Sequence, residues 1–314
     1  MPLLTSLYLP WQRDIYYRKA KEVGFRARSA FKLIQIDDAF DNSILSSDVT
    51  RVVDLCAAPG SWSQVLSSKL YSSTEEANEF LSSGKAKIVA VDLQEIAPIP
   101  GVLTIIGDIT AQSTAEQIIR HFEGNLADLV VCDGAPDVTG LHDIDEYMQA
   151  QLLLSALNIT TNTLRLGGTF LAKIFRGKDV SLLYSQLRCF FSEVTVAKPK
   201  SSRNSSIESF VVCRDYSPPE GFQPSMERLL LGHKYGPDNP ILGPDSLIVK
   251  FVACGDLSGW DPDKSYPLES EELGLTYEYT PPVQPPINPN YSTYLQRFKN
   301  KDGPHSESAD DVEC

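Results

Sequence analysis

Lys32, Asp133, Lys173 and Glu208 lie far apart in the chain, yet each falls at the end of, or just beside, a predicted regular element. Elements that end at one rim of a fold can aim such residues at a single pocket. Two amines and two carboxylates gathered there suit removal of a proton from a sugar hydroxyl. Alone, each has a blander reading: Lys32 as a solvated or phosphate-contacting residue on a basic helix, Glu208 as plain surface. Lys173 resists that, because it interrupts the apolar run Gly168–Phe175 and buried lysines are rare unless paired. Lys173 is the expected proton acceptor, its pKa lowered by desolvation and by the ammonium of Lys32, with Asp133 and Glu208 opposing that shift.

A second constellation lies beside the first. Asp54-Leu55-Cys56-Ala57-Ala58-Pro59-Gly60-Ser61-Trp62 reads as a strand-to-helix turn of small residues, which lets a nucleotide-like donor approach the backbone amides. After the next strand Asp92 is placed to accept hydrogen bonds from ribose hydroxyls, and after the third Asp108 is placed to hold an adenine amino group. Any one of these aspartates could merely cap the helix that follows, and Trp62 could be core. As acids at three successive strand ends they form a set. No G-x-G-x-x-G fingerprint and no basic residue suited to a pyrophosphate is present, which argues against a dinucleotide site. Donor turn plus ionisable quartet describes a group-transfer enzyme.

The elements that must position these residues follow from hydrophobic periodicity. Ile15 to Phe40 is helical, interrupted near Gly24, with one basic face. Short β-rich runs follow at Arg51–Cys56, Lys87–Leu93, Val102–Asp108, Asp128–Asp133, Gly168–Phe175, Val194–Lys198 and Ser209–Tyr216. Helical segments at Ser61–Leu70, Thr114–Phe122, Asp145–Leu164 and Val180–Phe190 separate most of them. Alternation of this kind gives an α/β fold with a mostly parallel sheet, helices on both faces and ligands at the carboxyl ends of the strands. The last two runs are expected to pair antiparallel. Tyr71–Ala86 reads as a polar surface loop. Beyond Tyr216 the sequence turns Pro- and Gly-rich, with a strand near Leu247–Ala253, a polyproline-like stretch at Thr280–Pro286 and a disordered reading for Lys301–Cys314. The expected organisation is a catalytic domain over 13–216, a partly ordered extension over 217–299 that docks a partner, and an acidic tail over 300–314.

The six cysteines occur singly, with no C-x-x-C and no close histidine, so neither a zinc site nor a disulfide framework is expected. The opening residues do not read as a signal peptide and no run is long enough for a membrane span, so a cytoplasmic protein is expected. A net charge of −13 argues against nucleic-acid binding until its distribution is examined. From Arg13 to Lys32 seven basic residues face two acidic ones, and from Arg165 to Arg203 eight face two. The acidity sits in the tail. Arg18, Lys19, Arg26, Arg28, Arg176, Lys178, Lys200 and Arg203 are therefore candidate RNA contacts, against the reading of a generic charged surface.

Six ordered blocks between Arg13 and Tyr216 resemble the FtsJ/RrmJ family of S-adenosylmethionine-dependent RNA 2′-O-ribose methyltransferases. They are Arg26–Leu33, Asp54–Trp62, Val91–Leu93, Gly107–Ile109, Cys132–Pro136 and Ala172–Phe175. The resemblance implies a Rossmann-like methyltransferase fold with a seven-stranded sheet carrying one antiparallel strand. It implies S-adenosylmethionine held by Gly60, Trp62, Asp92, Asp108 and Asp133, a catalytic tetrad of Lys32, Asp133, Lys173 and Glu208, and no metal. Asp137–Asp143, Ile174–Gly177 and Lys198–Arg203 are similar to the eukaryotic tRNA branch. That branch methylates anticodon-loop riboses at nucleotides 32 and 34 with a WD-repeat partner subunit and a large helical-repeat partner subunit. Ser61 stands where bacterial relatives carry a second glycine, and Met1–Gln12 lacks the branch's lysine-rich start. Ribosomal RNA, an mRNA cap, or a catalytically silent RNA-binding scaffold are the competing readings.

Overall fold

The computed structural model describes residues 14–83, 87–136, 142–177, 180–226 and 250–255, together with 260, 262, 264–266, 280–281 and 283–284. Lys178, the first thirteen residues and nearly all of the chain beyond 255 lie outside the described residues, and with them most of the Asp137–Asp143 motif, part of the polyproline-like stretch and the acidic tail.

The chain opens with α1 (Ile15–Val23) and α2 (Ala30–Ala39). Gly24 separates them by taking a left-handed φ of 92° that closes α1 through its N–H to the Ala20 and Lys21 carbonyls. There follow β1 (Val52–Leu55), α3 (Ser61–Leu70), α4 (Thr74–Ser82), β2 (Ile88–Asp92), β3 (Val102–Ile106), α5 (Gln112–His121), β4 (Ala127–Cys132), α6 (His142–Thr163), β5 (Leu164–Phe175), α7 (Val180–Arg188), β6 (Phe191–Pro199), β7 (Glu208–Tyr216) and β8 (Lys250–Cys254). The strands lie in the order β3-β2-β1-β4-β5-β7-β6-β8. Only β7 runs antiparallel to its neighbours, β5 and β6.

All four residues of β1 are buried, as expected for a central strand covered on both faces. One face packs Leu33, Ile36, Trp62, Leu66 and Phe210 under α2 and α3. The other packs Ile118, Leu153, Leu157 and Phe170 under α5 and α6. The path from β1 goes to β2 on one side, and β4 returns to the other. That reversal opens a crevice at the carboxyl end of β1, where the Asp54–Trp62 turn sits.

One expectation is extended and one corrected. The seven expected strands form the sheet with β7 antiparallel, and the expected strand near Leu247–Ala253 joins them as β8, pairing parallel with β6 from Thr195↔Lys250 to Pro199↔Cys254. Within the supposed loop Tyr71–Ala86 there is a helix, α4. Its start is a capping box, in which the Ser73 hydroxyl accepts the Glu76 N–H while the Glu76 carboxylate accepts the N–H of Ser72. Ala77 is buried and Phe80 meets the ring of Tyr71, so the helix is pinned to the sheet edge. Among the described residues no helix is long and apolar enough to cross a membrane.

Candidate active site

The four quartet residues come from four separate elements. Lys32 lies in α2, Asp133 follows β4, Lys173 lies in β5 and Glu208 opens β7. Parallel pairing of β4 with β5 and antiparallel pairing of β5 with β7 bring the last three to one rim. Their charges alternate around a ring. Lys32 Nζ is 2.9 Å from Glu208 Oε2, which is 3.7 Å from Lys173 Nζ. Lys173 Nζ is 2.7 Å from Asp133 Oδ1, which is 3.7 Å from Lys32 Nζ. Lys173 also donates to the Asp133 backbone carbonyl at 2.9 Å. Lys173 thus meets Asp133 through both its carboxylate and its backbone carbonyl.

Burial and charge act in opposite directions here. Burial lowers the Lys173 pKa, but the carboxylates of Asp133 and Glu208 outweigh it, and the net shift is upward. The sequence left open the balance between desolvation and the two acids, and it falls to the acids. For Glu208, burial acts to raise the pKa, while Lys32, Lys173 and the Ser202 hydroxyl bring it down to about 2. In the resting protein the ring holds two ammonium groups and a carboxylate at Glu208.

The donor turn rests on Asp92 and Arg26. Asp92 Oδ2 accepts the Ala58 N–H at 2.9 Å and Oδ1 accepts the Gln94 N–H at 2.8 Å. Gly60 has φ +102°, and a Cβ there would come within 2.6 Å of Ile99 Cδ1 and 2.9 Å of Arg26 Nη1, so glycine is what lets these side chains pack against the turn. Asp108 is exposed after β3, with Oδ1 taken by the N–H and hydroxyl of Thr110. Trp62 is only 2% exposed; its indole donates to the Ser29 carbonyl and its ring meets Phe210. Its side chain is therefore core. Asp54 is fully buried, bonded to the Ser63 hydroxyl at 2.6 Å, with Oδ1 enclosed and unpartnered. Burial, with help from Asp133 and Asp92 and against the Ser63 bond, pushes its pKa up to about 7.

The basic candidates divide sharply. Arg26 reaches the carbonyls of Pro59, Ala97 and Pro98, each at 2.9 Å, and so fastens the donor turn rather than facing RNA. Arg28 is paired with Asp14. Arg18 is buried in α1 with Nε and Nη2 enclosed, and the Nζ of Lys200 is likewise enclosed. Arg26 and Arg28 are thus engaged within the protein, whereas the enclosed nitrogens of Arg18 and of the half-buried Lys200 have no protein partner. Arg176 and Arg203 are exposed, and the half-buried Lys19 has its Nζ 6.0 Å from the Trp260 ring.

Three residues that sequence reasoning missed support the ring. Gln149 of α6 is buried and donates to the carbonyls of Gly134 and Lys173. Its signal was a polar residue at i, i+4 and i+7 with Leu153 and Ala156 on an apolar helix face. The Ser202 hydroxyl donates to Glu208 Oε1, and Lys198 Nζ donates to the carbonyls of Ser206 and Glu208. Nothing in local sequence distinguishes these two from neighbouring polar residues.

A Rossmann-like sheet with a small-residue turn at its switch point and a buried ring of paired charges defines a group-transferring enzyme fold. The sequence pattern of the FtsJ-like methyltransferase family matches residues 25–216, and the chain belongs to that family. It is 62% identical over 290 residues to the tRNA (cytidine(32)/guanosine(34)-2′-O)-methyltransferase of Mus musculus, covering 92% of this chain and 85% of the mouse protein. The enzyme of the same name from Homo sapiens is 63% identical over 281 residues, covering 89% and 81%. That of Schizosaccharomyces pombe is 52% identical over 292 residues, covering 92% and 96%. Among solved structures, a ribosomal RNA methyltransferase of Plasmodium falciparum aligns with TM-score 0.50 at 26% identity, covering 61% of this chain and 98% of that one. The chain is a methyltransferase.

Arg26→Ala frees three carbonyls, partly recovered by water, and is expected to cost about 2 kcal/mol in urea unfolding. Amide exchange across 57–62 should quicken; unchanged protection there would refute the fastening role. Asp54 holds a proton in the native state between its unfolded pKa, near 3.9, and about 7. Its favourable contribution is therefore complete below the lower value and is lost as pH rises through the upper one. Asp54→Asn should gain on the parent chain across that window, by at most about 4 kcal/mol. Urea midpoints of both proteins from pH 5 to 8 test this, and a constant difference would count against it.

Proposed function

We propose that this chain transfers a methyl group from S-adenosylmethionine to the 2′-hydroxyl of riboses 32 and 34 in the tRNA anticodon loop. The observation that carries the chemistry is the alternating ring of two ammonium groups and two carboxylates beside the Asp54–Trp62 turn. The names borne by relatives more than half identical to this chain support the substrate.

The residues of the turn suit the donor, since the enclosed oxygens of Asp54 and Ser61 lack protein partners. Gly60, the Trp62 backbone, Asp92, Asp108 and Asp133 would hold it. When bound, S-adenosylmethionine supplies a strongly electrophilic methyl on a sulfonium. The chain's own task is then alignment and proton removal. Lys32 and Glu208 fix each other, Asp133 and Glu208 fix Lys173, and Lys173 in its neutral form accepts the proton of the ribose hydroxyl. Because the acids raise the Lys173 pKa, the neutral form is a minority at pH 7, and turnover climbs with pH.

Arg176, Arg203 and Lys19 provide the available contacts for a single-stranded loop, where the ribose edge is accessible. Such a small set leaves much of a tRNA to be gripped elsewhere. A WD-repeat subunit for nucleotide 34 and a large helical-repeat subunit for nucleotide 32 fill that role in this reading, with the 217–299 extension as their docking region and the cytoplasm as the setting.

The first test is transfer of labelled methyl to tRNA with partner subunits present, followed by mapping of methylated riboses. Lys173→Ala should lower kcat by about 10³-fold while donor binding by calorimetry persists. Near-normal turnover in that variant would remove Lys173 as the base. Glu208→Gln takes one anion away from Lys173 and so lowers its pKa. The rising limb of the normalised pH–rate profile should therefore move to lower pH, and a limb that stays in place would contradict the electrostatic argument.

A further inference from the structure

We infer that β8 and the glycine that follows it form a positioning element for Glu208, acting through the connection between β6 and β7. The inference rests on the reading of Glu208 as part of the catalytic ring. It concerns residues outside the stretch matched by the family pattern, which ends at 216.

The coupling can be followed atom by atom. β8 adds to the free edge of β6, with Lys198 opposite Ala253 and Pro199 opposite Cys254. Where β6 ends, the Lys200 N–H donates to the Cys254 carbonyl, so the strand pairing continues into the connection. Gly255 then turns away with φ +98°. A Cβ at that position would lie 2.8 Å from Lys200 Cβ and 3.0 Å from Gln35 Cδ. Glycine is needed there on both counts, conformation and space. Gln35 belongs to α2, one turn beyond Lys32, and its Oε1 accepts the Ser201 N–H at 2.8 Å. The next residue, Ser202, is buried and donates its hydroxyl to Glu208 Oε1. That bond leaves Oε2 directed at the two lysines.

The end of β8 is therefore wedged against both carriers of the Lys32–Glu208 pair, α2 on one side and the Lys200–Ser202 segment on the other. An edge strand has a neighbour on one side only, so its docking is among the weaker associations in a sheet. When β8 leaves, the Lys200 amide loses its acceptor and the contact that presses Lys200 toward Gln35 disappears. Ser201 and Ser202 are then free to shift, and Glu208 loses the hydroxyl that fixes its carboxylate plane. The donor turn is fastened separately, by Arg26 and Asp92.

The full-length chain with its partner subunits carries the test. In Gly255→Val, hydrogen exchange at the Lys200–Ser202 amides should rise tenfold or more while exchange across 57–62 is unchanged. Turnover should fall about tenfold at unchanged KM for tRNA. Ser202→Ala should fall similarly, and the double variant should lose no more than the worse single one, because both act on one orientation. Unchanged exchange at Lys200–Ser202, or losses that multiply in the double variant, would overturn the inference. If Gly255→Val raises exchange throughout the chain, Gly255→Ala is read in its place by the same criteria. A parent complex without methyl transfer would defeat the proposed function, while the exchange comparison would still decide this one.

Discussion

Charged groups withdrawn from water must neutralise one another, and the ring of Lys32, Glu208, Lys173 and Asp133 depends on that constraint. Removal of any one member leaves an excess buried charge, so the four form a unit rather than a list. Each ammonium faces two carboxylates and each carboxylate faces two ammonium groups, which keeps the site charged at every corner yet neutral in sum. The same reciprocity that drives Glu208 down to about 2 drives Lys173 upward. A desolvated lysine is often imagined as a ready base; here the compensating acids make it a reluctant one.

Holding such a ring requires a scaffold that does not yield. The sheet supplies Asp133, Lys173 and Glu208 from three adjacent strands whose register is fixed by burial on both faces. Lys32 arrives from outside the sheet on α2, and its position is secured by Leu33 and Ile36 beneath it and by Gln35 against the Ser201 amide. Gln149, Ser202 and Lys198 then fix the backbone and carboxylate around the ring. Preorganisation of this sort is what makes a neutral set of charges useful for orienting a reacting hydroxyl.

Charge in this protein is largely spent internally. The basic stretch at the start of the chain is read most naturally as a surface for an anionic partner, yet Arg18, Arg26 and Arg28 are respectively buried, bound to three carbonyls and paired with Asp14. Arg26 is the instructive case, because a planar guanidinium with several donors can tie together loops from different parts of the sheet. Its contribution is to the shape of the donor turn.

Strand and helix identity was legible in the sequence because periodicity and the Asp54–Trp62 turn are local signals. The types of the quartet residues, and the anomaly of a lysine in the apolar run Gly168–Phe175, were legible for the same reason. The helix α4 was announced by its Ser73–Glu76 capping box and passed over because its polar composition resembles a loop. The pairing of the eighth strand with β6, the direction of the Lys173 shift and the fate of the arginines were beyond local reading. Each depends on distances between groups remote in sequence, and a Coulomb interaction or a hydrogen bond is set by separation in space. The chain determined which charges exist, and the tertiary structure decided which of them meet.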